Sequence, residues 1–559
     1  MSTVARGISI AVVSSALALW AQGEGPIRFE DIAARAGLAF LAENSPTPNK
    51  NQPETMLAGV ALLDYDRDGD LDIYFVNGAA IPSLEKEDPK FNNRLFRNNG
   101  DLTFTDVTGK ARVAGVGYGM GVAAADYDND GWTDLFLASV TNNQLLRNNG
   151  DGAFTDVTAR AGVAGAKAGG RKMWAVAAGW FDYDNDGDLD LFVVNYCKWE
   201  VNKDPVCQTA SGTRAYCDPR HYDPLPNTLY RNNGDGTFTD VSGETGVATH
   251  LGKGMSVSLA DFDQDGFLDA FVTNDTMPNF LFRNVGGKKF EEVGVRAGVS
   301  FGQNGVALSG MGSDFRDVDN DGRPDIWHTA VEMETFPLFV NRGRGLFVNA
   351  TFPSGLGLTT VQMSGWGNGI ADFDNDGWKD LFVARSNVLD NVSENKSGRL
   401  YPEPNSLFRN LGGVKFEDAS AAAGPDFQRA AAHRGVALGD IDNDGRIDAV
   451  VTVLGGPACL FRNLTNSGHH LVLLKLTGTR ANRSAIGTRV RLLAEDGRTQ
   501  WNMATTSVGY ASSGDPRVHF GLGPARLIRE LEIDWPSGTK QLLKDLPVDR
   551  IHEITEPQG

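Results

Sequence analysis

Seven copies of one nine-residue pattern, D-x-D-x-D-G-x-x-D, run through this chain of 559 residues and limit what it can fold into. The first three copies hold Asp64, Asp66, Asp68 and Asp72; Asp126, Asp128, Asp130 and Asp134; and Asp182, Asp184, Asp186 and Asp190. The next two hold Asp261, Asp263, Asp265 and Asp269, then Asp317, Asp319, Asp321 and Asp325. The last two hold Asp372, Asp374, Asp376 and Asp380, then Asp440, Asp442, Asp444 and Asp448. Successive starts lie 62, 56, 79, 56, 55 and 68 residues apart, so one unit is about 55 residues with occasional insertions. A repeat of this period points to a solenoid, propeller or array.

A second pattern follows each of the first six copies: an apolar run, Arg-Asn-Asn-Gly or a relative, then F-x-D-V. Leu145 to Val157 and Leu229 to Val241 show it cleanly, and Val340-Asn341-Arg342-Gly343 is its most degraded form. Each unit then reads as four strands. A Gly-rich apolar strand such as Gly119 to Ala125 enters the aspartate loop, and a second strand such as Leu135 to Val140 leaves it. The Asn-Gly turn joins a third strand to a fourth as a tight hairpin. Four antiparallel strands per unit, seven times over, is the pattern of a β-propeller.

The seventh unit keeps its third strand, Ala458 to Arg462, but no F-x-D-V follows it. The missing piece stands before the first unit, as Phe29-Glu30-Asp31-Ile32. A strand from the N-terminus that completes the last blade leaves no free sheet edge. An open solenoid has no reason to split a repeat in this way. The expectation is an all-β chain: a seven-bladed β-propeller over residues 27–466, closed by an N-terminal strand, then a small β-domain over 469–559.

The loop spacing predicts calcium, up to seven ions. Aspartates at positions one, three, five and nine gather four carboxylates around one tight loop, and glycine at position six permits the sharp turn. Hard oxygen ligands of this kind suit Ca²⁺ better than Mg²⁺, which keeps more of its water. Position seven is chemically indifferent (Asp70, Trp132, Asp188, Phe267, Arg323, Trp378, Arg446), as a backbone ligand would be. Position two is always apolar, from Tyr65 to Ile441, as an inward-packing residue would be. Position twelve never carries the glutamate of an EF-hand.

Charge supports the same reading. The formal net charge is −19, and residues from 469 onward carry 12 Lys/Arg against 10 Asp/Glu, so the preceding part holds −21. The 28 loop aspartates are nearly half of the 61 acidic residues there. Left unpaired, four carboxylates in one loop repel one another by several kcal/mol at intermediate dielectric. Such a balance turns away nucleic acid and anionic membranes and invites cations.

The N-terminus reads as an export signal over residues 1–21. Arg6 precedes the apolar stretch Ile8 to Ser15, and Ala16-Leu17-Ala18 is a cleavage pattern, with a cut after Ala21 also open. The mature chain is expected to be secreted, periplasmic or on the cell surface, without integral membrane contact, and monomeric. Of four cysteines, Cys207 and Cys217 bracket a short polar loop and are favoured as a disulfide, with Cys197 a competing partner. Cys459 reads as a buried free thiol.

The seven loops and their strand pattern resemble the FG-GAP/VCBS propeller repeats also found in integrin α-chains. The resemblance implies that the four aspartates of each loop are ligands and that the calcium is structural. Further on, the segments beginning at Asn482 (NRSAIGTRVRL), Ser507 (SVGYASSG), His519 (HFGLG) and Ile533 (IDWPSG) look like the ASPIC/UnbV domain. Together the two parts are similar to the cartilage-acidic-protein-like family. Trp535-Pro536-Ser537-Gly538 is read as a structural turn ahead of a binding loop.

No catalytic motif with a recognisable mechanism occurs, and only eight histidines are present, scattered. The preferred reading is an extracellular binding or adhesion module, with a protein or glycan partner. The alternatives are metal-assisted lyase or hydrolase chemistry in the propeller channel, or a purely structural surface protein. The long insertions, about Gly78 to Asn93, Cys197 to Asn227 and Arg385 to Ser406, all leave the face opposite the aspartate loops. Long loops on a rigid scaffold carry specificity, and the second insertion offers Trp199, Tyr216, Arg220, His221 and Tyr222.

Overall fold

The computed structural model describes residues 25–209, 211–395 and 398–558, so the export signal read at 1–21 lies outside the described residues. Strands dominate, and each follows from the alternation and turn chemistry of the repeat. In the second unit Gly119–Ala125, Asp134–Ser139, Gln144–Asn148 and Phe154–Asp156 lie side by side in chain order. The aspartate loop joins the first two, and Asp134, the ninth position, opens the second strand opposite Ala125. Glycines at positive φ, such as Gly131 (93°) and Gly150 (74°), make both tight turns possible.

Among the described residues, seven sheets of this four-stranded kind are present, one of them extended by two short strands from the C-terminal region. The seventh draws on both ends of the repeat region. Phe29–Asp31 pairs antiparallel with Cys459–Asn463, with Phe29 opposite Asn463, beside Asp448–Val453 and His433–Gly439. Phe29 is buried against the rings of Phe373, Phe382 and Phe427, at 5.6, 6.2 and 5.6 Å. The first strands of the sheets pack side by side in chain order, from Val60–Leu63 to His433–Gly439, and His433–Gly439 packs in turn on Val60–Leu63. The fold is an all-β repeat with a propeller-like arrangement of sheets.

After Asn466 the chain builds a second pair of sheets. His470–Thr477 lies between Val518–Gly523 and Arg550–Thr555, while Arg489–Ala494 lies between Thr499–Met503 and Leu527–Asp534, with Lys540–Pro547 outside. Val472, Leu492, Phe520, Leu531 and Ile533 fill the core between them. The strand Arg489–Ala494 starts only at Arg489, because Ala485 takes a left-handed φ of 56° and its carbonyl receives the Thr488 amide in a turn. Trp535 to Gly538 is a tight turn, closed by the Trp535 amide donating to the Thr539 carbonyl at 2.9 Å.

A larger departure concerns the hairpin Ser507–Val508 and Ser512–Ser513. It leaves the C-terminal sheets and enters the space between the first strands of the seven sheets. Ser513 pairs with Ala61, the Ser507 hydroxyl donates to the Val257 carbonyl at 2.8 Å, and the Gly509 amide donates to the Ser313 carbonyl at 2.8 Å. At the tip, Tyr510 is fully buried, packs on Trp366 at 5.4 Å and donates its hydroxyl to the Met56 carbonyl at 2.9 Å. The first strands have little room for it except at glycine: a Cβ on Gly179 would meet Ser507 Oγ at 2.7 Å, and one on Gly435 would meet Ser512 Oγ at 2.8 Å. The C-terminal region therefore reaches in among the first strands.

The Cys207–Cys217 disulfide is formed, with a Cα separation of 5.2 Å, and Cys197 and Cys459 are buried free thiols.

Candidate metal loops and the opposite face

Each aspartate loop is held by hydrogen bonds that assign its carboxylates different tasks. In the second loop, Asp126 receives the amides of Asp130 and Gly131 at 3.0 and 2.8 Å, which folds the loop back on its first residue. Asp130 receives the Trp132 amide at 2.9 Å. Asp134 receives the amides of Tyr127 at 3.3 Å and Asn148 at 2.7 Å, tying the loop to the third strand. The third position differs: Oδ1 of Asp66, Asp128, Asp184, Asp263, Asp319 and Asp442 is buried and has no hydrogen-bond partner.

A buried carboxylate oxygen without a donor is costly unless something else satisfies it. The ligand atoms of Asp64, Asp66 and Asp72 lie within 4.8 Å of one another, as do those of Asp126, Asp128 and Asp134. Asp182, Asp184 and Asp190 form a similar group, as do Asp317, Asp319 and Asp325, while in the fourth loop the group is Asp261, Asp263 and Asp265. All-oxygen clusters of this size fit a hard divalent cation. Burial raises the first-position carboxyls, Asp126 and Asp261 to about 6 and Asp182 to about 7. Asp72 rises to about 8, and Asp134, Asp190, Asp269 and Asp448 are pushed well above the carboxylate range, chiefly by desolvation.

The loops are less bare than their sequence suggested, and the idea of four unpaired carboxylates is corrected. In the second, fourth, sixth and seventh units the arginine that precedes the Asn-Gly turn reaches across the hairpin to the loop of its own sheet. Arg147 bonds Asp128 at 2.5 Å and Asp130 at 2.6 Å. Arg283 does the same to Asp263 and Asp265, and Arg409 to Asp374 and Asp376. Arg462 bonds Asp442 at 2.7 Å, and the displaced Arg342 of the degraded fifth unit stands 3.6 Å from Asp319. These arginines use the outer oxygen, Oδ2, of the third position and leave Oδ1 facing inward.

The asparagine beside each arginine has a different role. Asn148 Nδ2 donates to the Tyr65 carbonyl of the preceding loop at 2.8 Å, and Asn232 to Tyr127, Asn284 to Tyr183 and Asn341 to Phe262 follow at 2.7–2.9 Å. Asn410 grips Val318, Asn463 grips Phe373, and Asn98 of the first sheet grips Ile441 of the last. A second set runs the other way from the fourth loop position: Asn129 to Gly187, Asn185 to Gly266, Gln264 to Gly322, Asn320 to Gly377 and Asn443 to Gly69. The apolar second position is buried in all seven loops, 3 % exposed or less. The arginine and asparagine roles were visible as an Arg-Asn pair ending almost every third strand, but not their partners.

The C-terminal region sits on this same face. Arg517 donates to the Asp440 carbonyl at 2.5 Å, Arg498 to the Asp376 carbonyl at 2.6 Å and Arg489 to the Gly322 carbonyl at 2.6 Å. The three insertion regions lie on the opposite face, where two of them meet the segment before the first sheet. Lys50 pairs with Asp390 at 2.5 Å, Arg214 donates to the Asn49 carbonyl at 2.7 Å, and Asn391 donates to the Arg214 carbonyl at 3.0 Å. The aromatic-basic set on the second insertion is divided. Trp199 packs on Trp174, and Tyr222 is buried with its hydroxyl on Asp204, whereas Tyr216 and His221 line a cavity and Arg220 is exposed.

The family described as FG-GAP-like repeat matches residues 64–137, 126–193, 220–272, 261–328 and 372–451, and the one described as ASPIC and UnbV matches residues 478–559. Cartilage acidic protein 1 of Mus musculus is 25% identical over 532 residues, covering 91% of this chain and 75% of its own length. The Homo sapiens protein of the same name is 25% identical over 536 residues, covering 91% and 73%. Among solved structures, an Agrocybe aegerita lectin that recognises non-reducing terminal N-acetylglucosamine aligns with a TM-score of 0.40 at 16% identity, covering 75% of this chain and 90% of its own. Among the described residues no helix is long and apolar enough to cross a membrane.

Proposed function

The chain belongs to the FG-GAP-like repeat family and ends in an ASPIC and UnbV domain, and from that premise we propose that it is an exported, calcium-loaded binding or adhesion module. In this reading the seven sheets are the blades of one propeller, closed by Phe29–Asp31 from the N-terminus, and calcium is structural. The carrying observation is the inward Oδ1 of the third aspartate, buried and without a donor in six loops. An ion bound there completes the pairing that the arginines begin from outside. The ligating residues would be the first, third, fifth and ninth aspartates of each loop, from Asp64 to Asp448. They would supply up to seven sites.

Binding is supported by the long insertions gathered on the face opposite the aspartate loops, where loops on a rigid scaffold carry specificity. Extracellular placement is supported by the signal-like first residues, by the disulfide and by the relatives named cartilage acidic protein 1. The insertion face is where a protein or glycan partner would be met, as a monomer. The deciding experiment follows melting and partner capture from extracellular matrix extracts, with calcium and after chelation. Chelation is expected to lower the melting temperature and abolish capture. An unchanged melting temperature would sink the calcium reading, and capture of nothing under either condition would sink the binding reading.

A further inference from the structure

The fourth position of the aspartate loop is asparagine or glutamine in six repeats, from Asn129 to Asn443, and arginine only in the first, as Arg67. All seven sit at positive φ, Arg67 at 59°, a conformation that suits asparagine better than arginine. Five of the amides bridge to the next loop. Arg67 instead lies over the Trp132 ring at 5.1 Å, and among the described residues it has no hydrogen bond and no carboxylate within 4.0 Å. It faces a cleft of about 180 Å³ between the first two loops and the strand His470–Thr477. Pockets for drug-sized ligands measure about 300–1,000 Å³, so this cleft suits one small group.

Two more exposed cations line it. Arg483 Nε stands 4.0 Å from Asp126 Oδ2, and Lys475 Nζ stands 3.9 Å from Asp64 Oδ2 and 3.8 Å from Glu553. All three separations are longer than a hydrogen bond. Arg483 is held in place all the same, its backbone amide donating to Asn129 Oδ1 at 2.8 Å. Its Nε and Arg67 Nη1 come within 3.1 and 3.2 Å of the place where a Cβ on Gly131 would stand. Two guanidiniums thus converge on one point with no carboxylate bonded to either, which repulsion disfavours and a shared anion would favour. Thr133 and Ser484 border the same space, and Ser484 Oγ, which accepts the Asp126 amide at 3.1 Å, keeps its hydrogen to donate. In a chain of formal charge −19, three loosely paired cations on one cleft reverse the sign of the surface locally.

We propose that this cleft binds a tetrahedral oxyanion, free or carried as a sulfate ester on a glycan. Arg67 and Arg483 donate to it across the gap that Gly131 leaves, Lys475 adds charge, and Ser484 adds a hydroxyl hydrogen. Calcium in the first two loops strengthens the site, because Asp64 and Asp126 then serve the ion and relax their distant hold on Lys475 and Arg483. The calcium effect rests on the reading of the loops as calcium sites; the cleft itself, on the face opposite the insertions, does not.

The test uses the full-length protein, with inorganic sulfate as the free probe and an immobilised sulfated oligosaccharide, beside its desulfated form, as the second arm. Titrated in calcium at constant ionic strength, sulfate should bind with a Kd below about 1 mM. Arg67→Ala and Arg483→Ala should each weaken it about tenfold or more, as the loss of a hydrogen bond to a charged group does. Arg220→Ala, on the insertion face, should change nothing. Sulfate binding together with retention on the sulfated oligosaccharide alone points to an ester on a glycan, and sulfate binding without retention to the free ion. Arg67 is bonded to nothing in the fold, so Arg67→Ala should melt like the wild type and keeps unfolding out of the result. The proposal is overturned if sulfate binds no more tightly than about 1 mM, if binding survives both substitutions, if Arg220→Ala weakens it as much, or if acetate binds as well. Unchanged melting on chelation, with sulfate binding intact, would sink the calcium reading and leave the cleft. Calcium-dependent melting without sulfate binding would do the reverse.

Discussion

Asn98 donates its side-chain amide to the carbonyl of Ile441 at 3.0 Å, joining residues 343 positions apart. The bond repeats, at the two ends of the repeat region, the grip of Asn148 on Tyr65 between neighbouring sheets. Asn98 also donates to Leu71 of its own loop. Each such asparagine is buried, 4 % exposed or less, and so is the carbonyl it serves.

Asn98→Ala leaves two buried carbonyls without this donor. A loss of about 1–3 kcal/mol is expected, read as a lower urea midpoint. In a closed ring, Asn98→Ala and Asn148→Ala should cost alike, since both break one of equivalent seams. If the ring were open between the last and first sheets, Asn98→Ala would cost little, and that result would falsify closure.

The third aspartate is the sharpest test of metal binding. Asp128→Ala should remove one ion of the full complement, counted by native mass spectrometry, and leave the other loops loaded. Asp151→Ala, in the exposed Asn-Gly turn of the same sheet, should remove none. An unchanged ion count for Asp128→Ala would exclude that loop as a site.

Arg147 should oppose the ion it sits beside. Its guanidinium holds Asp128 and Asp130 through their outer oxygens. A unit charge about 6 Å from a divalent ion at an effective dielectric of 40–80 is worth about 1.4–2.8 kcal/mol. Arg147→Ala should therefore tighten calcium at that loop about tenfold to a hundredfold, seen by competition with a fluorescent chelator. Weaker binding would mean that the arginine orients the carboxylates more than it competes with the metal.

The loops were legible because spacing and chemistry coincide: Asp126, Asp128 and Asp134 are close in sequence and in space. The displaced F-x-D motif at Phe29 was legible because a repeat with one part missing announces where to look. Arg147 and Asn148 were visible as a recurring pair, but their partners lie across a hairpin and in a neighbouring sheet. The hairpin around Tyr510 was least legible. Its polarity is that of an ordinary loop, and what buries it is the glycine content of strands well before it in the chain, such as Gly179 and Gly435.

Tyr510 gives that hairpin a measurable weight. Replacing a buried aromatic by alanine costs about 3–5 kcal/mol, and Tyr510→Ala also removes the donor to Met56. The unfolding midpoint should fall, and limited proteolysis should release the residues after Asn466 sooner. Tyr510→Phe, which loses only the hydrogen bond, should cost about 1 kcal/mol. Equal stability of wild type and Tyr510→Ala would mean that the hairpin does not anchor the C-terminal sheets.

The dependence on pH should reverse sign with calcium. In the metal-free protein, burial raises Asp126 to about 6 and Asp72 to about 8, above the ordinary carboxylate value of 3.8. A group raised on folding contributes stability that is whole below its unfolded value and is lost as pH climbs through the folded one. Chelated protein should therefore lose stability steadily between about pH 4 and pH 8. With calcium bound, the ion favours the ionised carboxylates, which must shed protons to ligate it, so stability should rise over the same window. Melting temperatures across that range, in calcium and in chelator, should converge at acid pH and separate toward pH 8. Parallel curves would show that these carboxylates are not what the ion binds.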